Sequence, residues 1–111
     1  MGSFKGVDSR RVVVTGLGSI SPVGNTVKQG WNSILSGMSG ISKISQFDTT
    51  GFAVSIAGEV KNFSVSDFIS LKEARHMDNF IHYGIVAGEE AFRDSGYVVT
   101  ESNMEKIGVM V

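Results

Sequence analysis

The run Arg11-Val12-Val13-Val14-Thr15-Gly16 passes directly into Leu17-Gly18-Ser19-Ile20-Ser21-Pro22-Val23-Gly24. Three consecutive valines with no polar alternation predict a short strand buried on both faces. Such a strand must be covered from above and below, which restricts the chain to a layered architecture. Glycine-rich turns leaving a buried strand are also where many proteins hold a phosphate. The two common phosphate patterns fail here. In the G-x-G-x-x-G fingerprint the third glycine is replaced by Ser21, and Pro22 follows. The acid that should bind the ribose is missing too, since no Asp or Glu lies between Arg11 and Asp48. No Gly-Lys-Ser/Thr occurs in the loop, so it is not a P-loop. The glycines therefore serve a sharp turn, with Pro22 and Gly24 setting the start of the next helix.

Thr26 and Gln29 form a capping box, and Val27, Trp31, Ile34 and Leu35 recur at helical spacing up to Gly37. Residues 38–51, rich in Ser, Gly and Thr, predict a loop. Residues 52–60 alternate large with small or polar side chains and predict a strand. Ser64 to Ile69 predicts a short helical turn. A second capping box, Ser70 with Glu73, opens a single long helix ending at Gly96, with Ala74, Met77, Ile81, Gly84, Ile85, Gly88, Ala91 and Phe92 on one stripe. Gly84 and Gly88 each lower helix propensity by about 1 kcal/mol, so they predict a close backbone approach. Lys106 to Val111 reads as another buried strand. The order is strand, helix, strand, helix, strand, an α/β layout. Trp31, Met77, Phe80 and Phe92 are assigned to the core. An apolar strand stopping at Val111 without a polar tail predicts a piece of a longer protein. Residues 1–10 read as a flexible leader or a cloning scar, and residues 11–111 as one incomplete domain.

A chain of 111 residues bounds the fold to one domain, which when complete buries about two-thirds of its unfolded surface. The net charge of −1 gives no electrostatic case for nucleic acid or an anionic membrane. The absence of cysteine excludes a disulfide framework and a cysteine-ligated metal within this chain. No apolar run approaches a membrane span, no signal peptide is present, and Gly6 breaks the myristoylation pattern, so the expected compartment is the cytoplasm.

Arg11 to Asn25 resembles the opening of the β-ketoacyl-acyl carrier protein synthases. The likeness continues through Ser39-Gly40-Ile41, Phe47-Asp48, Ala57-Gly58-Glu59-Val60, Lys72 to Asp78, Phe80-Ile81-His82-Tyr83 and Asp94-Ser95-Gly96. Ser-Pro-Val-Gly-Asn and Arg-x-Met-Asp favour the type II branch. The resemblance implies the N-terminal portion of a thiolase-like α/β/α/β/α fold, the first part of a ketosynthase N-terminal half, in a homodimeric parent. It implies fatty acid elongation by decarboxylative Claisen condensation of acyl and malonyl thioesters borne by acyl carrier protein. A cysteine thiolate carries the acyl chain, two histidines assist, and no organic cofactor is needed; no metal site is assigned to this chain. The cysteine and the histidine pair lie downstream, so this chain holds no catalytic residue and is expected to be inactive alone. His76 and His82 fall outside the catalytic motifs and read as solvated or partly packed. Alternatives are a polyketide ketosynthase, a catalytically dead chain-length-factor-like partner subunit, and a free-standing binding module, the last disfavoured by the unfinished strand.

The resemblance also assigns a docking patch. Lys72, Arg75 and His76 fall in the first turns of the long helix, where cations oppose the macrodipole by about 0.3–1 kcal/mol each. Asp78 is placed to pair with Arg75 at i,i+3 spacing. In related synthases a basic patch at these positions receives the acidic carrier protein. Leu71 departs from the basic residue often found there and His76 replaces a lysine or arginine, which predicts a weaker, more pH-sensitive patch.

Overall fold

The computed structural model describes residues 10–111. Helix α1 spans Val27–Leu35, and its start is the capping site read from the sequence, with the Thr26 hydroxyl accepting from the Gln29 amide. The Gln29 side chain reaches one residue further back than a capping box requires and accepts from the Asn25 amide at 3.1 Å. The helix ends in a Schellman motif. Gly37 sits at φ +69°, the Met38 amide donates to the Ser33 carbonyl and the Gly37 amide to the Ile34 carbonyl.

Two short strands follow, β1 (Ile41–Lys43) and β2 (Ile56–Gly58), paired antiparallel with Ser42 opposite Ala57. Strand β1 lies inside the segment expected to be a loop. The strand expected over 52–60 is confined to the three residues that pair with β1, with one further bond from the Ile44 amide to the Ser55 carbonyl at 2.9 Å. Val65–Asp67 forms the expected short helical turn, as a 3₁₀ turn.

The long helix expected from Ser70 to Gly96 is two helices, α2 (Leu71–Ala74) and α3 (Asn79–Asp94). Asp78 breaks it. It adopts extended backbone, φ −79° and ψ 161°, and caps α3 by accepting from the Asn79 amide at 2.7 Å. It forms no ion pair with Arg75, and one carboxylate oxygen serves the cap. Gly96 terminates α3 at φ +65°, as its position predicts. Gly84 and Gly88 face open space, so they admit no close neighbour among the described residues.

The expected outer strands are absent. Neither residues 11–16 nor residues 106–111 pair with any described segment, and a 3₁₀ turn occupies Met104–Lys106. Without a ladder the valine run stays exposed, Val12 at 91%. The aromatic core assignment changes with it. Trp31 is 59% exposed, Phe80 is 70% exposed, and Phe92 is also exposed, while Met77 is half-buried. Among the described residues the buried side chains are Ala74, which ends α2, His82 in the first turn of α3, and Val86 in the middle of α3.

Candidate functional site

The glycine loop lies across α3. A β-carbon at Gly18 would overlap the Ala87 carbonyl, and one at Gly16 the Ala91 carbonyl. The close backbone approach is therefore made by the loop glycines against the helix, the reverse of the arrangement expected from Gly84 and Gly88. The loop amides are occupied by the protein's own carboxylates. Leu17 donates to Asp94 at 3.0 Å and Ser19 to Glu90 at 2.9 Å. The other Glu90 oxygen accepts from the Val27 amide, the first of α1, at 3.0 Å. One side chain thus ties the loop and the positive end of α1 to α3. The Leu17 and Ser19 amides are thus taken by acids of α3. Above this tie α1 and α3 enclose an open cleft of about 540 Å³, lined by Leu17, Trp31, Val86 and Glu90 among others.

Glu90 and Asp94 were not among the sequence candidates. A signal for them existed. Loop amides need acceptors, and no acid occurs within the loop or α1. Two carboxylates four residues apart just before Gly96 present the required pair on one face of a helix.

The basic patch is carried by α2 and its exit. The Ser70 hydroxyl accepts from the Glu73 amide at 3.3 Å and donates to the Glu73 carboxylate at 2.6 Å. That exchange holds Glu73 in the cap. After Ala74 the backbone tightens, with the His76 amide donating to Glu73 and the Met77 amide to Ala74. Lys72 lies in α2, and Arg75 and His76 in the turn that leaves it. All three are exposed, and none is ion-paired among the described residues, where the one salt bridge joins Arg93 to Glu89. The macrodipole argument weakens, because α2 is a single turn. Leu71, also exposed, adds an apolar component.

The two histidines separate. His76 is exposed in the exit turn, whereas His82 is buried on α3 with Nε2 3.0 Å from the Ala74 carbonyl. No group of three or more His, Cys, Asp or Glu among the described residues is arranged to hold a metal ion. No helix among them is long and apolar enough to cross a membrane. Away from the patch, Glu59 accepts from the Ser45 hydroxyl at 2.9 Å and from the Ser45 and Gln46 amides. The Ser45 hydroxyl chiefly holds its carboxyl below the ordinary value.

The arrangement of helices and strands is that of a thiolase-like ketosynthase. The structure titled the ishigamide ketosynthase/chain length factor superposes with a TM-score of 0.69 at 34% identity, covering 85% of this chain and 23% of that one. Residues 9–111 match the family described as Beta-ketoacyl synthase, N-terminal domain, and the chain belongs to that family. It is 52% identical over 105 residues to 3-oxoacyl-[acyl-carrier-protein] synthase 2 of Vibrio cholerae serotype O1, covering 95% of this chain and 25% of the relative. It is 47% identical over 103 residues to the synthase 2 of Staphylococcus aureus strain COL, covering 93% and 25%. The chain spans about a quarter of the length of these curated relatives.

Proposed function

We propose that this chain is the N-terminal part of a β-ketoacyl-acyl carrier protein synthase of type II that elongates fatty acids. The observation that carries the reading is 52% identity to a 3-oxoacyl-[acyl-carrier-protein] synthase 2 over nearly the whole chain. In the parent a cysteine outside this chain attacks the acyl thioester, and the carrier thiol leaves. Malonyl-carrier protein then loses carbon dioxide, and the resulting carbanion attacks the acyl-enzyme thioester. The carbon–carbon bond forms as the cysteine departs. The substrates are acyl and malonyl thioesters, the partner is acyl carrier protein, and the parent works as a cytoplasmic homodimer. This chain contributes no reacting group and no cysteine, so it is inactive alone. A second reading, a polyketide ketosynthase or its non-catalytic chain-length partner, draws support from the ishigamide structure, but at 34% identity it ranks below the first. Condensation assays on the full-length protein with acyl- and malonyl-carrier protein separate the two. Condensation without a partner subunit supports the first reading, and its absence, with a residue other than cysteine at the nucleophile position, overturns it.

Lys72, Arg75 and His76 form the carrier-docking patch in this reading. The support is their exposure, their nearness in one short turn and their freedom from ion pairing among the described residues. Lys72→Glu with Arg75→Glu in the full-length protein weakens carrier binding by about tenfold at low salt, and the gap narrows steeply as salt is added. The fold stays intact, because both side chains are exposed. Titration of carrier protein at two ionic strengths checks this, and equal affinity at low salt would overturn the assignment.

A further inference from the structure

We infer that His82 is a positioning residue for the basic turn: its Nε2–H donates to the Ala74 carbonyl and so fixes the direction in which Lys72, Arg75 and His76 leave the surface. The inference rests on the docking reading of that turn. Helix α2 has four residues, too few to hold its own geometry, since the first helical turn is the unfavourable step in helix formation. Its start is secured by Ser70. Its end depends on the Ala74 carbonyl, which accepts from the Met77 amide at 3.1 Å and lies 3.0 Å from His82 Nε2.

A carbonyl only accepts, so Nε2 must carry the proton. Both partners are buried, Ala74 at 7% and His82 at 8% exposure. Water has little access to replace the lost partner of a buried polar group, so breaking the bond disturbs the turn directly. The neighbouring residue reinforces the grip. Tyr83 packs edge-on against Phe63 with ring centroids 5.0 Å apart, just upstream of the 3₁₀ turn that leads into α2. Consecutive residues of α3 thus hold the chain before the docking turn and within it.

The test uses three variants of the full-length protein. His82→Leu removes the donor. His82→Asn retains an amide whose nitrogen lies near the Nδ1 position, too short to reach Ala74. His82→Gln carries its nitrogen out to the Nε2 position. Amide exchange over residues 71–78 rises about tenfold in the Leu and Asn variants and returns toward the parent rate in the Gln variant. The KM for carrier-borne thioesters rises about three- to tenfold in the same two variants, while kcat and the KM for a pantetheine thioester stay constant. Should the Leu variant fail to fold, the Asn and Gln pair carries the comparison. Unchanged exchange over 71–78 in the Asn variant overturns the inference, as does a Gln variant no better than Asn. Faster exchange combined with intact carrier affinity in the Lys72→Glu, Arg75→Glu protein leaves the tie standing and overturns the docking reading instead.

Discussion

Glu90 is the side chain on which the loop, α1 and α3 depend together. It accepts from two amides separated in sequence, Ser19 and Val27, and each bond is assisted by the carboxylate charge. Glu90→Gln leaves one oxygen to accept and turns an amide group toward the other donor. The half-buried site lowers the cost, and about 1–2 kcal/mol is expected. Exchange of the Ser19 and Val27 amides then rises about five- to thirtyfold, and unchanged exchange would contradict the tie. Glycine substitutions discriminate two settings. Gly18→Ala drives a β-carbon into the Ala87 carbonyl, so the loop must lift off α3 and lose its bonds to Glu90 and Asp94. A loss of about 3 kcal/mol is expected. Gly88→Ala meets nothing within 4 Å among the described residues and instead gains up to about 1 kcal/mol of helix propensity. Thermal unfolding monitored by helical circular dichroism checks both signs.

Helix starts and stops were the most legible elements. Thr26 and Ser70 cap where their spacing to Gln29 and Glu73 indicates, and Gly37 and Gly96 sit at positive φ just past helix ends. These signals work because the partners lie within one turn. Asp78 carried an equally local signal, an acid of the N-cap type before an apolar stripe, but it competes with a continuous helical pattern from Ser70 to Gly96. Strands were less legible, since they need partners remote in sequence. The β1–β2 hairpin and its flanks show how. The turn after β1 is fastened by Glu59, whose carboxyl is held below its ordinary value first by the Ser45 hydroxyl. A lowered folded-state value means the stabilisation is fully present above about pH 4.5 and is lost as pH falls below it. Protection of the Ser45 and Gln46 amides, measured as exchange relative to the unstructured chain at the same pH, accordingly falls as pH drops below about 4.5. In Glu59→Gln the same amides exchange faster at neutral pH and lose this pH dependence.

As a whole the molecule is open. Its radius of gyration is 19.6 Å, whereas a compact chain of this length has about 13 Å. It exposes 9650 Å² where a compact protein of 11.9 kDa exposes about 5,900 Å². The two-thirds burial expected from length is therefore not reached. Trp31, Phe80, Val12–Val14 and Val109–Val111 supply much of the surplus apolar surface. In isolation the chain is expected to bind a hydrophobic dye strongly and to elute ahead of an 11.9 kDa monomer on gel filtration. A dye-silent monomer would contradict the exposed surface. The residues alone settled the helix caps, the failure of the nucleotide patterns, the α/β class and, through family likeness, the ketosynthase assignment, since each depends on short-range spacing or on ordered motifs. Tertiary structure decided what the glycine loop rests on, where the helix at Asp78 breaks and which histidine is buried. The loop rests on α3 through bonds between residues 77 and 71 positions apart, whereas the break and the burial of His82 turn on the cap at Asp78 and the Ala74–His82 bond across it; the spacing of residues along one segment carries no record of what will pack against it.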